Sequence, residues 1–348
     1  MNRRQFLQTS LGTLTLGVRP PQSNAKIGLG VIGLGRQGMS LLHTIRQMRP
    51  AVELVALCDV NPETISAATK LLPTAHSTPH YADLLQRADV QAVMIATPDE
   101  QHVEIASAAL KAGLDVYLEA PIARSLADVQ SLIQLAQSRE AVVQIGIEAV
   151  SHPMLSLIRN LIIEGYLGQV SQIEVAVPCP DAIPAWQQSN SQSDGLAAWH
   201  LVETMEQVRH MMGVSMPRKI AAQGVWSDAN TNPDNFHALL HYQEGFIVHF
   251  AMGHIPRRFS IYGTSGSVDL LTGKVERLDG TIPLEYAAIA EELQTTLTEN
   301  ALYYHVEDWI ATVRERRQPR LPIQLGLDHV TLVHAAQSTE TIRTKKGH

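Results

Sequence analysis

The chain has 348 residues, of which 45% are hydrophobic and 18% are charged, and its formal net charge is −7. This length and composition predict a globular protein of two domains, and the acidic balance excludes the basic footprint of a nucleic-acid-binding protein. Two cysteines, Cys58 and Cys179, are too few for a disulfide framework and do not have zinc-ligand spacing, and no apolar stretch is long enough to span a bilayer.

The N-terminus begins Met-Asn-Arg-Arg-Gln-Phe-Leu, with Arg3 and Arg4 directly preceding a short segment rich in glycine and threonine. This pattern resembles a twin-arginine export signal, which is read by a receptor rather than used as an anchor. No Ala-x-Ala cleavage site follows, so a disordered tail of a cytoplasmic protein is the alternative. We therefore predict that residues 1–25 form a signal or tail, and that the protein is periplasmic or exported.

The next segment combines a strand, a glycine-rich turn and a helix. An apolar run over 27–32 precedes the glycines, and apolar residues at helical spacing follow them. Strand, G-x-G-x-x-G and helix together form the dinucleotide-binding fingerprint, whereas the overlapping match that starts at Gly28 lies inside the strand. Gly33 permits the tight turn, Gly35 lets the backbone approach a pyrophosphate, and Gly38 allows close helix packing. The predicted cofactor-binding turn is Gly33, Leu34, Gly35, Arg36, Gln37 and Gly38.

A second strand, over 52–59, ends at Asp59, about 20 residues beyond the glycines, where a carboxylate can accept both ribose hydroxyls of NAD. Its charge would repel the 2′-phosphate of NADP, so the sequence favours NAD. The alternative is a surface aspartate that caps the turn before Asn61 and Pro62.

Strands continue to alternate with helices, which predicts a parallel sheet. The further strands are predicted over 90–96, 115–119 and 141–146. Ligands bind at the carboxyl ends of such strands. The residues predicted to contact the cofactor there are Thr97, Pro98, Glu119 and Gln144.

Several motifs in the right order resemble the glucose–fructose oxidoreductase/inositol dehydrogenase (Gfo/Idh/MocA) family. They are the glycine turn, Ala96-Thr97-Pro98-Asp99 with His102, the stretches 111–121 and 143–146, and Tyr262-Gly263-Thr264-Ser265-Gly266. The resemblance adds His102 to the predicted cofactor-binding residues. It implies a Rossmann domain over 26–147, a C-terminal α/β domain with an open, mainly antiparallel sheet over 148–343, and a tail over 344–348.

The same resemblance implies NAD(P)-dependent hydride transfer on a carbohydrate or polyol, by a homodimer or homotetramer formed through the C-terminal sheet. Yet the catalytic residue types of the family are missing. The lysine of its Glu-Lys-Pro motif is Ala120, and the aspartate and histidine one helical turn apart read Trp199 and Glu203. His200 and Glu203 are three residues apart on a predicted helix and are the remaining candidates for proton transfer, unless this is an ordinary surface helix.

Three functions therefore stay open: an oxidoreductase, a non-catalytic NAD-binding protein, and an NAD-dependent glycosidase. We predict no metal site, because the three histidines on the outer face of the hairpin over 235–252 lack a carboxylate or cysteine partner and fit a subunit interface better. Trp186, in a polar loop over 178–192, is predicted either to line the substrate pocket or to anchor the loop. A closing helix is predicted over 328–343.

Overall fold

The structure is a computed structural model that describes residues 26–48, 51–179, 195–226, 235–280, 300–338 and 342–343. The predicted signal or tail over 1–25, Trp186 and the tail over 344–348 lie outside the described residues.

The first half of the chain forms a parallel six-stranded sheet in the order β3-β2-β1-β4-β5-β6. This confirms the predicted Rossmann sheet. The strands are β1 Ile27–Ile32, β2 Val52–Cys58, β3 His76–Thr78, β4 Ala92–Ile95, β5 Asp115–Glu119 and β6 Val143–Gly146. Buried parallel strands are nearly continuous apolar runs, and all six residues of β1 and all four of β4 are buried.

Helices connect the strands and cover both faces of this sheet. They are α1 Arg36–Gln47, α2 Pro62–Leu71, α3 Tyr81–Leu85, α4 His102–Lys111 and α5 Leu126–Ser138, with short 3₁₀ helices at Asp99–Gln101 and Glu148–Ser151. Local sequence sets several of their starts. Asn61 accepts a hydrogen bond from the Glu63 N–H and precedes a proline at the first position of α2, and Ser125 caps α5 in the same way.

The second half builds an eight-stranded mixed sheet in the order β13-β12-β11-β7-β10-β9-β8-β14. Most neighbours are antiparallel, while β10 with β7 and β14 with β8 are parallel. The strands are β7 Val170–Pro178, β8 Lys219–Trp226, β9 Asn235–His241, β10 Ile247–Gly253, β11 Arg258–Gly263, β12 Gly266–Asp269, β13 Lys274–Arg277 and β14 Ile342–Arg343. The helices of this half are α6 Pro153–Ile163, α7 Gly195–Met212, α8 Ala301–Glu315 and α9 Leu325–Gln337. This confirms the predicted mainly antiparallel second sheet.

Helix α8 returns from the second half to pack on the first sheet. Its buried face includes Trp309, whose ring makes an edge contact with Tyr117 of β5 at 5.6 Å between centroids. Its His305 donates from Nε2 to the Ile145 carbonyl and accepts at Nδ1 from the Ser151 hydroxyl. These contacts fix α8 to the strand and the 3₁₀ helix that lead into the second half.

The prediction of one closing helix over 328–343 is wrong at its end. The helix α9 stops at Gln337, and Ile342 pairs with Val225 as strand β14. Ser338 directly follows the helix, and serine competes with the helical backbone, while the edge of β8 offers backbone groups with which Ile342 and Arg343 pair.

Candidate functional site

The glycine turn between β1 and α1 has the shape that a pyrophosphate needs. Gly33 has φ +89°, and a Cβ there would lie 2.6 Å from the Ala96 backbone. At Gly38 a Cβ would lie 1.9 Å from the Gly33 carbonyl oxygen. At Gly35, by contrast, a Cβ would meet nothing within 4 Å. Gly33 and Gly38 are therefore required by packing, whereas Gly35 keeps an open space clear above the turn.

The groups around this open space fit a dinucleotide. Helix α1 starts at Arg36, and no side chain caps its first turn, so its amide N–H groups are available to an anion. Leu34 of the turn is buried, while Arg36 is exposed. The Thr97 Oγ1, at the carboxyl end of β4, is buried and has no hydrogen-bond partner among the described residues. Pro98 beside it is exposed.

Asp59 lies where β2 ends and contacts the same turn. One carboxylate oxygen accepts from the Leu34 N–H at 2.6 Å, and the other accepts from the Asn61 N–H at 2.8 Å. The second contact is the turn-capping role that the sequence left open as an alternative. Because the first contact ties the carboxylate to the glycine turn, Asp59 is held at the edge where a ribose would lie.

The side chains of His102 and Gln144 are buried in the protein interior and are not exposed at the carboxyl edge of the sheet. The two ring nitrogens of His102 lie 2.8 Å from the carbonyl oxygens of Thr97 and Pro121, so this histidine joins the loops after β4 and β5. Burial lowers the pKa of His102, against the opposing effect of both carbonyls. Gln144 is fully buried and donates to the His305 carbonyl of α8.

Two carboxyl groups meet at the carboxyl ends of β5 and β6. Glu119 is 8% exposed, and its Oε1 accepts from the Gln37 amide at 3.0 Å. Glu148 is half-buried at the start of the 3₁₀ helix after β6, and Gln37 acts to lower the pKa of its carboxyl group. Gln37, predicted only as part of the glycine turn, thus connects the Glu119 carboxyl group to that turn.

Burial and neighbouring charges raise the pKa values of both carboxyl groups. Burial, and next the charge of Glu148, raise the pKa of Glu119 well above its usual range. Burial also raises the pKa of Glu148, where the charge of Glu203 acts in the same direction and Arg36 opposes it. The sequence did not single out Glu148. The feature that could have indicated Glu148 is its position two residues after Gly146, at the ligand-binding edge of the sheet.

Glu203 brings helix α7 into this site, together with His200. The His200 Nδ1 lies 3.2 Å from the Glu203 Oε2, and both side chains are partly exposed, at 18% and 23%. Trp199 contacts the His200 ring edge-on, at 4.6 Å between centroids. Helix α7 packs against the 3₁₀ helix that begins at Glu148, so this imidazole–carboxylate pair comes from the second half of the chain to the region of Glu148.

The comparison with known families agrees with this architecture. Residues 27–147 match the NAD-binding Rossmann fold of the Gfo/Idh/MocA oxidoreductase family, and residues 159–343 match its C-terminal alpha/beta domain. The chain belongs to the Gfo/Idh/MocA family. Its N-terminal domain is thus an NAD-binding domain, which confirms the predicted cofactor. Among the described residues of this family member, no helix is long and apolar enough to cross a membrane, and no group of three potential metal ligands occurs.

The individual relatives are only distantly similar to this chain in sequence. The chain is 33% identical to the inositol 2-dehydrogenase of Salmonella typhimurium over 142 residues, which are 40% of this chain and 42% of that enzyme. It therefore matches less than half of the length of that relative. It is 24% identical to the 4-carboxy-2-hydroxymuconate-6-semialdehyde dehydrogenase of Sphingobium over 86% of this chain and 94% of that enzyme. The fold matches the WlbA dehydrogenase of Chromobacterium violaceum, solved with NADH and UDP-GlcNAcA, with a TM-score of 0.77 at 18% identity over 92% and 95% of the two chains.

Proposed function

We propose that this protein is an NAD-dependent oxidoreductase that acts on a hydroxyl-bearing carbon of a sugar or polyol, with His200 and Glu203 as its proton-transfer pair. The observation that carries the proposal is the packing of this pair's helix against the 3₁₀ helix that begins at Glu148, where the charge of Glu203 acts on Glu148. The match to an inositol 2-dehydrogenase supports the substrate class.

The chemistry needs a proton acceptor, because an alcohol that loses hydride must also lose its hydroxyl proton. Bound NAD supplies the hydride acceptor. His200 can take the proton on Nε2 while the Glu203 carboxylate holds Nδ1 and stabilises the imidazolium. Glu119, whose pKa burial raises well above its usual range, can donate a hydrogen bond to the substrate oxygen when it is protonated.

The test is to measure turnover of a panel of sugars and polyols with NAD, using the absorbance of the NADH that forms. Removing a general base lowers rates about 10²- to 10⁴-fold, so we expect this loss in kcat for Glu203→Gln and His200→Gln. The affinity for NAD should stay unchanged in both variants. Glu276→Gln, on exposed strand β13, is the matched control and should behave as wild type. Tight NAD binding without turnover of any panel member would refute the proposal in favour of a non-catalytic NAD-binding protein.

We also propose that a second copy of the chain covers the outer face of the C-terminal sheet. Exposed apolar side chains lie on that face: Leu239 of β9, Ile247 of β10 and Tyr262 of β11 are 40%, 36% and 36% exposed. Gln172 of β7 pairs with both Ile247 and Tyr262, so these two lie in one row across the sheet. Light scattering should show a dimer or tetramer for the wild type, and a smaller species for Ile247→Asp.

We further propose export by the twin-arginine route, on the basis of Arg3 and Arg4 alone. This route carries folded proteins, so the cofactor could be bound before transport. Cell fractionation should recover the wild type outside the cytoplasm and retain a variant with both arginines changed to lysine inside it. Equal cytoplasmic retention of both would refute the proposal.

A further inference from the structure

We infer that Glu206 and His329 are positioning residues, which fix helix α7, and with it His200 and Glu203, relative to the Rossmann domain. This inference deepens the proposed function and rests on it, because it names residues that hold the proposed proton-transfer pair in place. Glu206 and His329 are both buried, so they act through the helix and do not touch the substrate.

Two hydrogen bonds join helix α7 to the first turn of α9. The His329 Nε2 lies 2.9 Å from the Glu206 Oε1, and the two side chains are 4% and 1% exposed. One turn further along α7, Arg209 donates from Nη2 to the Asp328 carboxylate at 2.7 Å. A buried carboxylate is costly unless it is paired, so the contact between Glu206 and His329 favours one placement of α7 against α9.

The same turn of α9 is seated on the Rossmann domain, where α9 packs against α5. Gly326 makes this close approach possible, because a Cβ there would overlap the Ile122 side chain and lie 3.1 Å from the Val129 side chain of α5. Ile122 is buried and lies three residues after Glu119, in the loop that follows β5. The first turn of α9 therefore connects the loop after Glu119 to helix α7.

Helix α7 carries this connection on to the proposed proton-transfer pair. His200, Glu203 and Glu206 follow one another at intervals of three residues in a single helix, so each lies about one turn from the next. A displacement of the helix at Glu206 therefore moves His200 and Glu203 as well. Supporting contacts of this kind hold reacting groups within about 0.5 Å of their productive positions, and a misplacement of about 1 Å can lower the rate about 100-fold.

The test compares two substitutions of His329 in the full-length protein. His329→Leu removes the hydrogen bond to Glu206, whereas His329→Gln keeps an N–H donor near the position of Nε2. We expect kcat on the best member of the sugar and polyol panel to fall about 10- to 100-fold in His329→Leu and to stay near the wild-type value in His329→Gln. The affinity for NAD, measured by calorimetry, should be unchanged in both. Arg316→Met is the matched control, because it breaks a buried ion pair with Asp115 at the opposite end of β5 from Glu119, and the folded variant should keep its kcat.

A second measurement follows His200 directly and does not require turnover. In protein that contains isotope-labelled histidine, the NMR signal of the His200 ring is the one that is missing from His200→Gln. This signal should shift in His329→Leu and stay in place in Arg316→Met, because only the first change releases helix α7.

An unchanged kcat or an unchanged His200 signal in folded His329→Leu overturns the inference, as does an equal loss of kcat in Arg316→Met or His329→Gln. If His329→Leu does not fold, Gly326→Ala takes its place. This variant keeps the hydrogen bond to Glu206 but forces α9 away from Ile122, so it should lower kcat and shift the His200 signal, and no effect on either would overturn the inference. Failure of the proposed function is a different result, since the wild type then turns over no panel member and the His200 signal alone decides the inference.

Discussion

Substitution by alanine should affect NAD binding at Gly35, the middle glycine of the turn, but folding stability at the outer glycine Gly38. A Cβ at Gly35 meets nothing within 4 Å, and its φ of −68° suits alanine. In Gly35→Ala, the gain of about 0.4–1 kcal/mol from a stiffer unfolded chain offsets a similar cost of alanine at a helix N-cap. The free energy of unfolding of the cofactor-free protein should therefore change by less than about 0.5 kcal/mol.

The affinity of Gly35→Ala for NAD should nevertheless fall. The new methyl group occupies the space above the turn and keeps a phosphate from approaching the backbone N–H groups closely. A hydrogen bond to a charged group contributes about 1.5–3 kcal/mol, so the loss of one weakens binding about 10- to 100-fold. Gly38→Ala is the contrasting variant. Its Cβ would lie 1.9 Å from the Gly33 carbonyl oxygen, and the forced separation should cost about 1–3 kcal/mol of folding stability.

Urea unfolding without cofactor and calorimetric titration with NAD measure the two quantities separately. If Gly35→Ala binds NAD as tightly as the wild type, the space above Gly35 is not the phosphate site. If it is as unstable as Gly38→Ala, the assignment of open space at Gly35 is wrong.

Three further changes test the packing around the site. Burial lowers the pKa of His305 from 6.5 to about 4, so unfolding takes up a proton and the folding stability falls as the pH drops through this window. In urea unfolding at pH 7.5 and pH 5, the stability that His305→Gln loses between the two pH values should be about 2 kcal/mol smaller than the wild type loses. An equal loss in both proteins would refute this. Arg316→Met removes the cation 2.6 Å from buried Asp115 and should cost about 3–5 kcal/mol in the same assay, unless Asp115 is also changed to Asn. In Gly146→Ala the new Cβ would lie 3.0 Å from the Glu119 carboxyl group and should displace it. Turnover should fall, while the folding stability should drop by only about 1–3 kcal/mol. Unchanged turnover would show that Glu119 need not occupy this position.

The sequence predicted the glycine turn and both sheets because the relevant information is local. The turn, its strand and its helix lie within a few residues, so their chemistry could be read without knowledge of the fold. Likewise the alternation of apolar residues in β9 is local, and Phe236, Ala238 and Leu240 all lie on its buried face. Where the prediction went wrong, in the closing helix, the deciding partner was the distant edge of β8.

The site beyond the turn could not be read in this way, because its groups come from four separate segments. Gln37 and Glu119 are 82 residues apart in sequence but share a hydrogen bond. Glu148 lies in a short 3₁₀ helix, where nothing in the local pattern marks a carboxyl group as buried beside another. His200 and Glu203 were found from their spacing, yet spacing did not show what they face.

The departures from the family pattern make better sense together than singly. Replacing lysine by Ala120 alone would remove a cation and leave Glu119 and Glu148 without a counter-charge. A carboxylate at Glu203 then adds a further negative charge, which acts on Glu148. Such a site is costly unless its acids are protonated or paired, and the raised pKa of Glu119 indicates protonation. On the proposed function, a neutral Glu119 would be the proton donor, and the His200 imidazole held by Glu203 would be the proton acceptor. On the proposed function, the loss of the lysine changes which groups move the proton and leaves the reaction possible.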